Sequence, residues 1–200
     1  MFITIEGIDG SGKSTQAKKL AQWLEDFTGN ITICTFEPGG WDGGKSLRDF
    51  ILGSKGYSAL SELLLFLADR AEHVSRVILP ALKAGHNVIC ERWNDSTLAY
   101  QSGGHELKIS DAERLIAACN FPVPDIKIFL DTDPQTAYSR IRSRTPDKFE
   151  AEGLKLMKKV SDFYRSRADD YTVIDCTNLN EDEVFSAVTS KLEVLICQSR

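Results

Sequence analysis

The chain has no long apolar run: the longest, Leu63–Ala68, falls far short of the ~20 residues a membrane-spanning helix needs. It also lacks surplus basic charge. With 24 Lys and Arg against 29 Asp and Glu, the net charge of −5 has the wrong sign for a protein whose main partner is nucleic acid. No two of the five cysteines (34, 90, 119, 176 and 197) have C-x-x-C spacing, and most lie in or beside apolar stretches. Buried, reduced thiols are the expectation. None of the three histidines (73, 86 and 105) belongs to an H-E-x-x-H pair, so a zinc hydrolase is unsupported. Met1–Glu6 carries no basic region, long apolar stretch or small-residue cleavage site, and a cytoplasmic location is expected.

What is present is ordinary for a globular chain. Apolar residues are 42% and charged residues 26% of the 200, which excludes a disordered or fibrous protein. The length fits one domain over residues 1–200, able to bury ~70% of its unfolded surface. No repeat or linker interrupts it. Five short, nearly continuous apolar runs read as buried strands: Phe2–Ile5, Thr32–Phe36, Asn87–Cys90, Ile126–Leu130 and Tyr171–Ile174.

Amphipathic stretches alternate with these strands. Ser14–Phe27 follows the first. A long helix over about Ser58–Ala84 places Leu60, Leu63, Leu64, Leu67, Ala71, Val74, Ile78 and Leu82 on one stripe, with Pro80 kinking its last turns and Gly85 ending it. Ser110–Cys119 begins with a capping-box spacing, and Asp133-Pro134 opens a helix over Pro134–Arg144. Phe149–Ala168 and Asp182–Cys197 complete the series. Strands alternating with helices give an α/β fold, a five-stranded parallel sheet with helices on both faces.

Directly after the first strand, Gly7-Ile8-Asp9-Gly10-Ser11-Gly12-Lys13-Ser14 matches G-x-x-x-x-G-K-[ST], with Thr15 next. Its glycines let the backbone turn sharply and aim several N–H groups at one anion, beside a helix N-terminus with partial positive charge. Lys13 is placed to reach the β and γ phosphates, and Ser14 to ligate Mg²⁺. This is a nucleoside-triphosphate site. A GTPase would want N-K-x-D, which is absent, and a motor would want more mass. A small-molecule phosphotransferase is favoured.

Three further segments supply acceptor chemistry: Glu37-Pro38-Gly39-Gly40-Trp41 followed by Arg48; Leu63–Arg70 in the long helix; and Glu91-Arg92-Trp93 leading into Asp95–Gln101. The P-loop and the Glu37 and Glu91 segments follow carboxyl ends of strands, where ligands bind in an open parallel sheet. Together, E-P-G-G, L-L-F-x-x-x-R, an acidic-Arg-aromatic turn and S-T-x-A-Y-Q resemble the bacterial-type thymidylate kinase family over essentially the whole chain. The resemblance implies the P-loop nucleoside monophosphate kinase fold (three-layer, P-loop NTP hydrolase-like), a homodimer, and transfer of the γ-phosphoryl of ATP-Mg²⁺ to dTMP.

Carried over by position, it implies that Phe66 stacks on thymine and Arg70, at i+4 on the same helix face, donates to a thymine carbonyl. Ser96 and Thr97 match the pyrimidine-edge positions, Tyr100 the residue under the deoxyribose, and Gln101 a weaker member of that set. Arg48 and Arg92 match the pair holding the acceptor phosphate. Asp9 matches the residue that contacts the 3′-hydroxyl and helps organise the metal, and Glu37 opens the E-P-G-G segment of the dTMP site. Glu91 stands at a metal position. Arg140-Ile141-Arg142-Ser143-Arg144 with Thr145-Pro146-Asp147 resembles the lid, at about residues 140–150, which must supply an arginine to the moving phosphoryl from Arg142 or Arg144.

The chain departs from the family pattern at several places: Glu91 for the usual Asp, Phe36 for an Arg, Trp41 for a Thr, and Lys148 for an Arg in a lid one residue short. Trp41 either lines the acceptor pocket or caps it. The rival readings are a deoxynucleoside kinase, with Glu91 as base on a sugar hydroxyl, and a P-loop binding protein without transferase activity.

Overall fold

The computed structural model describes residues 1–53, 56–104, 107–141, 149 and 153–198, without the side chains of residues 101–104. Five parallel strands form one sheet: β1 (Phe2–Glu6), β2 (Thr32–Phe36), β3 (Asn87–Glu91), β4 (Ile126–Asp131) and β5 (Thr172–Asp175), in the spatial order β2-β3-β1-β4-β5. Around them lie α1 (Lys13–Thr28), α2 (Gly44–Gly53), α3 (Ala59–His73), α4 (Leu79–Lys83), α5 (Asn94–Gly104), α6 (Ile109–Ala118), α7 (Pro134–Ile141), α8 (Leu154–Arg165) and α9 (Glu181–Gln198). β1 is the central strand, and chain connections run to opposite sides of it. Its carboxyl end is therefore the switch point where an α/β sheet opens a crevice.

Strand alternation separates two apolar layers. Ile3, Ile5, Ile89, Ile128 and Leu130 face Leu20 and Leu24 of α1 and Val188, Leu192 and Ile196 of α9. Phe2, Val88 and Cys90 face the other way, onto Val74, Ile78 and Trp93, and Phe129 packs beneath Val160 and Tyr164 of α8. Both faces are covered, which is why the strands read as continuous apolar runs. The architecture is the expected three-layer α/β fold.

Several local expectations need correcting. The long helix runs as α3, a π turn at Val74–Ile78 and α4. The widened turn falls where Pro80 lacks an N–H and its ring crowds the carbonyl four residues earlier. Gly85, with φ of 80°, ends it: its N–H bonds to Leu82 and that of His86 to Ala81, a Schellman closure. Leu63 and Leu67 are buried on the stripe, but Leu60 and Leu64 are nearly half exposed. The apolar stripe is wider than the face the core covers.

Helix α6 begins at Ile109 with Lys108 as an uncapped N-terminal flank, so Ser110 sits in the first turn and the expected capping box is not used. Burial of Ala112 and Ile116 sets its register instead. Asp133 caps α7 as expected, its carboxylate accepting the N–H of Thr136 at 2.8 Å. The five cysteines are free, but only Cys90 and Cys176 are buried. Cys34 lies on the edge strand, and Cys119 and Cys197 fall at or near helix ends, where neighbouring elements leave them exposed.

Candidate active site

The loop between β1 and α1 is wrapped around its own lysine. Lys13 Nζ donates to the carbonyls of Gly7 (3.0 Å) and Ile8 (2.7 Å), and the side chain is 6% exposed. Burial, with help from the nearby Arg92 guanidinium, lowers its pKa from 10.5 to about 8, against the pull of Asp9 and Glu91. Gly10, at φ of 81°, is a position only glycine can fill: a Cβ there would stand 2.3 Å from the Ala137 carbonyl oxygen of α7. Gly10, Gly12, Lys13, Ser14 and Thr15 line a wide cleft of about 1540 Å³, partly open to solvent, together with Lys18, Glu91 and Arg140. Gly7, Ile8 and Ser11 do not line it. The Ile8 side chain is buried in the core, that of Ser11 is also buried, and the Ser11 N–H bonds back to the Ile8 carbonyl.

A second cleft of about 580 Å³ joins the first. Asp9, Glu37, Arg48, Phe66, Arg70, Arg92, Ser96, Thr97 and Tyr100 all line it, with Pro38, Leu52 and Phe149. Every expected acceptor-side residue is thus on one wall or another except Gln101, which belongs to α5 and whose side chain is outside what the structure describes. Asp9, Glu37, Arg48, Leu52 and Arg92 line both clefts. They form the junction.

Arg92 occupies that junction by way of a strained turn. Its φ of 66° puts a bulky residue in the left-handed region, at a cost of about 1–3 kcal/mol. The turn is pinned on both sides: the Arg92 N–H bonds to Ile5 of β1, and the buried Glu6 carboxylate accepts the Trp93 N–H at 2.8 Å. Glu6 also accepts the hydroxyls of Ser96 (2.6 Å) and Tyr164 (2.7 Å), so the Ser96 proton is turned away from the cleft. Burial, then the neighbouring Asp95, pushes the Glu6 carboxyl upward.

The Arg92 guanidinium donates to Asp9 Oδ1 at 2.5 Å and, at 3.3 Å, to Ser96 and Tyr100. Tyr100 donates in turn to Asp9 Oδ2 at 2.8 Å, beneath the guanidinium. Burial works against the Asp9 charge, but Arg92 and Lys13 outweigh it and hold its carboxyl well below the usual range.

Arg70 is 2% exposed and nearly saturated. Nε donates to Glu37 Oε2 at 2.6 Å, Nη1 to Asn94 Oδ1 at 3.0 Å and Nη2 to Thr97 Oγ1 at 2.9 Å, while Trp93 stacks 5.1 Å away. Two of its five N–H groups remain for a ligand. The other Glu37 oxygen lies 2.9 Å from Nδ1 of His73, whose Nε2 lies 2.7 Å from the Thr35 hydroxyl. Asp69 holds the loop after β2, accepting Gly39 N–H and Trp41 Nε1 at 2.9 Å each. Trp41 is thereby fixed behind the cleft and is not among its lining residues. Phe66 is half-buried, its ring 6.0 Å from that of Phe149.

Two donor sets deserve comparison as metal sites. Ser14 Oγ donates to Glu91 Oε2 at 2.7 Å in the wide cleft, an oxygen-only pair of the kind a hard cation takes. Glu37, His73 and Cys90 also cluster, with ligand atoms within 4.8 Å of one another. There, however, both Glu37 oxygens are already engaged, one by a buried guanidinium, and burial drives the Cys90 thiol strongly upward, away from the thiolate a metal needs. The first set fits an ion and the second is a hydrogen-bonded frame.

Arg142, Arg144 and Lys148 lie outside the described residues. Among the described residues of that run, Arg140 at the end of α7 reaches the P-loop, donating to the Gly10 carbonyl at 3.2 Å. It belongs to the same basic run but was not singled out. Asp69 and His73 were also missed, although they neighbour Arg70 on α3 at offsets of one and three residues, and the i+3 spacing carried the signal for His73.

A family model described as thymidylate kinase matches residues 5–188. A thymidylate kinase of Prochlorococcus marinus (strain MIT 9312) is 41% identical over 172 residues, covering 82% of this chain and 81% of that protein. One of Synechococcus sp. (strain WH7803) is 39% identical over 203 residues, covering 96% and 94%. The crystal structure of thymidylate kinase from Ehrlichia chaffeensis superposes with a TM-score of 0.75 at 33% identity, covering 96% of this chain and 98% of that one.

Lys13 carries a pH signature. Between about pH 8 and 10.5 the unfolded chain keeps the lysine proton that the folded one has released, so through this group stability rises with pH in that window. The stability of the wild type relative to Lys13→Met is expected to rise by on the order of 2 kcal/mol from pH 8 to pH 10, read by urea unfolding without nucleotide. A difference that stays flat would mean an unperturbed lysine.

Proposed function

The chain belongs to the thymidylate kinase family, and on that premise we propose that its two joined clefts perform one reaction, moving the γ-phosphoryl of ATP to the 5′-phosphate of dTMP to give dTDP and ADP. The observation carrying this reading is the junction: two clefts, each with its own cations, share Asp9, Glu37, Arg48, Leu52 and Arg92. Two anionic esters brought together need positive charge between them, and Arg48 and Arg92 supply it where the clefts meet.

On the donor side, Lys13 and the backbone of Gly10–Thr15 bind the ATP phosphates. Release of Lys13 from the Gly7 and Ile8 carbonyls frees its ammonium for the ligand. Ser14 and Glu91 would hold Mg²⁺, directly or through water, and the ion would neutralise phosphate charge. On the acceptor side, Phe66 offers its face to thymine and Arg70 its two spare N–H groups to a carbonyl, with Thr97 and Tyr100 beside them. Arg48 and Arg92 take the phosphate, and Asp9 fixes Arg92 and the sugar hydroxyl. Arginines of the lid run, Arg142 or Arg144, complete the charge around the moving group.

The deoxynucleoside kinase reading is less well supported. Glu91 accepts the Ser14 hydroxyl on the donor side and does not line the acceptor cleft, whereas Arg48 and Arg92, the pair at the junction, do. A neutral hydroxyl acceptor has no use for them. Five free cysteines, three of them exposed, suit a reducing compartment, and we assign the enzyme to the cytoplasm. Among the described residues no helix is long and apolar enough to cross a membrane.

An apolar face formed by α2, α3 and Tyr57 just before α3 supports a homodimer. Phe50, Tyr57, Leu60 and Leu64 are each more than 40% exposed, and the rings of Phe50 and Tyr57 lie 5.8 Å apart. A second copy of the chain would cover them.

Three outcomes are expected. In an ADP-release assay, dTMP should be the preferred acceptor over dUMP, with thymidine and AMP nearly inert; preference for thymidine would transfer the case to the rival. Arg48→Ala should weaken dTMP by about 1.5–3 kcal/mol, the range for a hydrogen bond to a charged group, and an unaltered KM would remove Arg48 from the site. In sedimentation, the wild type should run as a dimer and Leu60→Glu/Leu64→Glu as a monomer; a monomeric wild type would refute the dimer.

A further inference from the structure

Arg48 differs from the other arginines of the acceptor cleft in its partners. Arg92 is bound to Asp9 and Arg70 to Glu37, but no ion pair to Arg48 exists among the described residues. One of its N–H groups donates to the Pro38 carbonyl at 2.7 Å, and its guanidinium carbon lies 5.5 Å from the centre of the Phe36 ring. The stem is confined as well: a Cβ on Gly39, which has φ of 93°, would stand 2.8 Å from Arg48 Cβ. Arg48 is thus bounded by the Gly39 backbone, the Pro38 carbonyl and an aromatic face.

Phe36 itself calls for explanation. It is the last residue of the edge strand β2, paired in register with Glu91, and it is 42% exposed. A large apolar ring so exposed at the mouth of a charged cleft loses burial energy. It lines the wide cleft beside Arg48 and Glu91, with no ring partner among the described residues except that guanidinium.

We infer that Phe36 is a positioning residue for the acceptor phosphate: its ring face holds the Arg48 guanidinium at the junction of the two clefts while occupying none of the donors that the Pro38 carbonyl leaves over. A carboxylate in that place would hold Arg48 more tightly but would compete with phosphate for the same donors and cancel its charge. An aromatic face attracts the cation through its quadrupole without accepting the in-plane N–H groups. The inference rests on the acceptor being a nucleoside monophosphate, as proposed above, and adds the residue that prepares its phosphate ligand.

The test compares ligands that differ only in the phosphate. Dissociation constants for dTMP and thymidine are measured by calorimetry, without ATP, for the wild type, Phe36→Leu, Phe36→Tyr, Arg48→Ala and the Phe36→Leu/Arg48→Ala pair. Phe36→Leu should weaken dTMP roughly two- to fivefold, the range for an exposed cation–π contact, and leave thymidine unchanged. Phe36→Tyr should restore dTMP binding, because it keeps the ring face. In the Arg48→Ala background Phe36→Leu should have no further effect. Equal weakening of both ligands, no change in either, failure of the Tyr variant, or an additive double variant would each overturn the inference. So would a loss confined to ATP binding, which would assign the ring to the donor. Failure of the wild type to bind dTMP at all would instead strike the reading of the acceptor on which the inference stands.

Discussion

The ion pair between Arg92 and Asp9, 2.5 Å apart across the mouth of the P-loop, lets a cationic cleft exist before any ligand arrives. Lys13, Arg48, Arg70 and Arg92 converge on two adjoining cavities. Like charges 4 Å apart repel by about 4 kcal/mol at an effective dielectric constant near 20. The protein meets that repulsion with carboxylates at defined positions. Asp9 lies near both Arg92 and Lys13 and is held ionised by them in spite of burial. Lys13 takes the opposite course: burial and Arg92 together make its proton easier to lose. A polyphosphate entering the wide cleft would reverse that balance.

The second charge cluster explains how a loop is fixed to a helix. Successive residues of α3 grip the segment after β2, Arg70 through Glu37 and Asp69 through Gly39 and Trp41. His73 adds a bridge from Glu37 to Thr35 on the strand itself. Burying such groups costs desolvation that their attraction barely offsets, so the network is weak evidence for stability. Its effect is geometric. It determines where the Gly39 backbone lies, and Arg48 packs against that backbone. Arg70 directly, and Arg48 by way of the Gly39 backbone, are therefore both tied to neighbouring residues of a single turn of α3.

Much of this was legible in the sequence, and the reason is locality. The P-loop spacing, the strand before it and the helix after it fall within one continuous stretch, so the loop's place between β1 and α1 could be read directly. The sheet was equally clear, because strands covered on both faces lose the polar alternation that would blur them. What stayed hidden depended on distant partners. Nothing local in Glu6 shows that its carboxylate will receive Trp93, Ser96 and Tyr164 from elements up to 158 residues away. Ser110 had the right neighbours for a cap, yet the helix starts one residue upstream at Ile109, with Ala112 and Ile116 buried, and takes Ser110 into its first turn. Leu60 and Leu64 have the same helical spacing as Leu63 and Leu67; periodicity marks an apolar stripe but not how much of it the chain itself covers.

The two arginines at the junction of the clefts, Arg48 and Arg92, are held there by different means. Arg92 must hold its position through an unfavourable backbone turn, and a carboxylate, two hydroxyls and Glu6 behind the turn combine to keep it there. That rigidity has a consequence for binding, since any phosphate reaching Arg92 must share it with Asp9. Arg48 comes from the first turns of α2 with ordinary helical backbone, and among the described residues its guanidinium is steadied by a carbonyl and a ring face. It offers less order but an uncommitted charge. A site with two guanidinium groups of the first kind would bind its acceptor weakly, because each is already neutralised. With two of the second kind, nothing would offset their mutual repulsion while the cleft is empty. Among the described residues one arginine is paired and one is not, which suits both states of the cleft; on the reading proposed above, Arg92 would set where the acceptor phosphate sits and Arg48 would supply most of the attraction that brings it there.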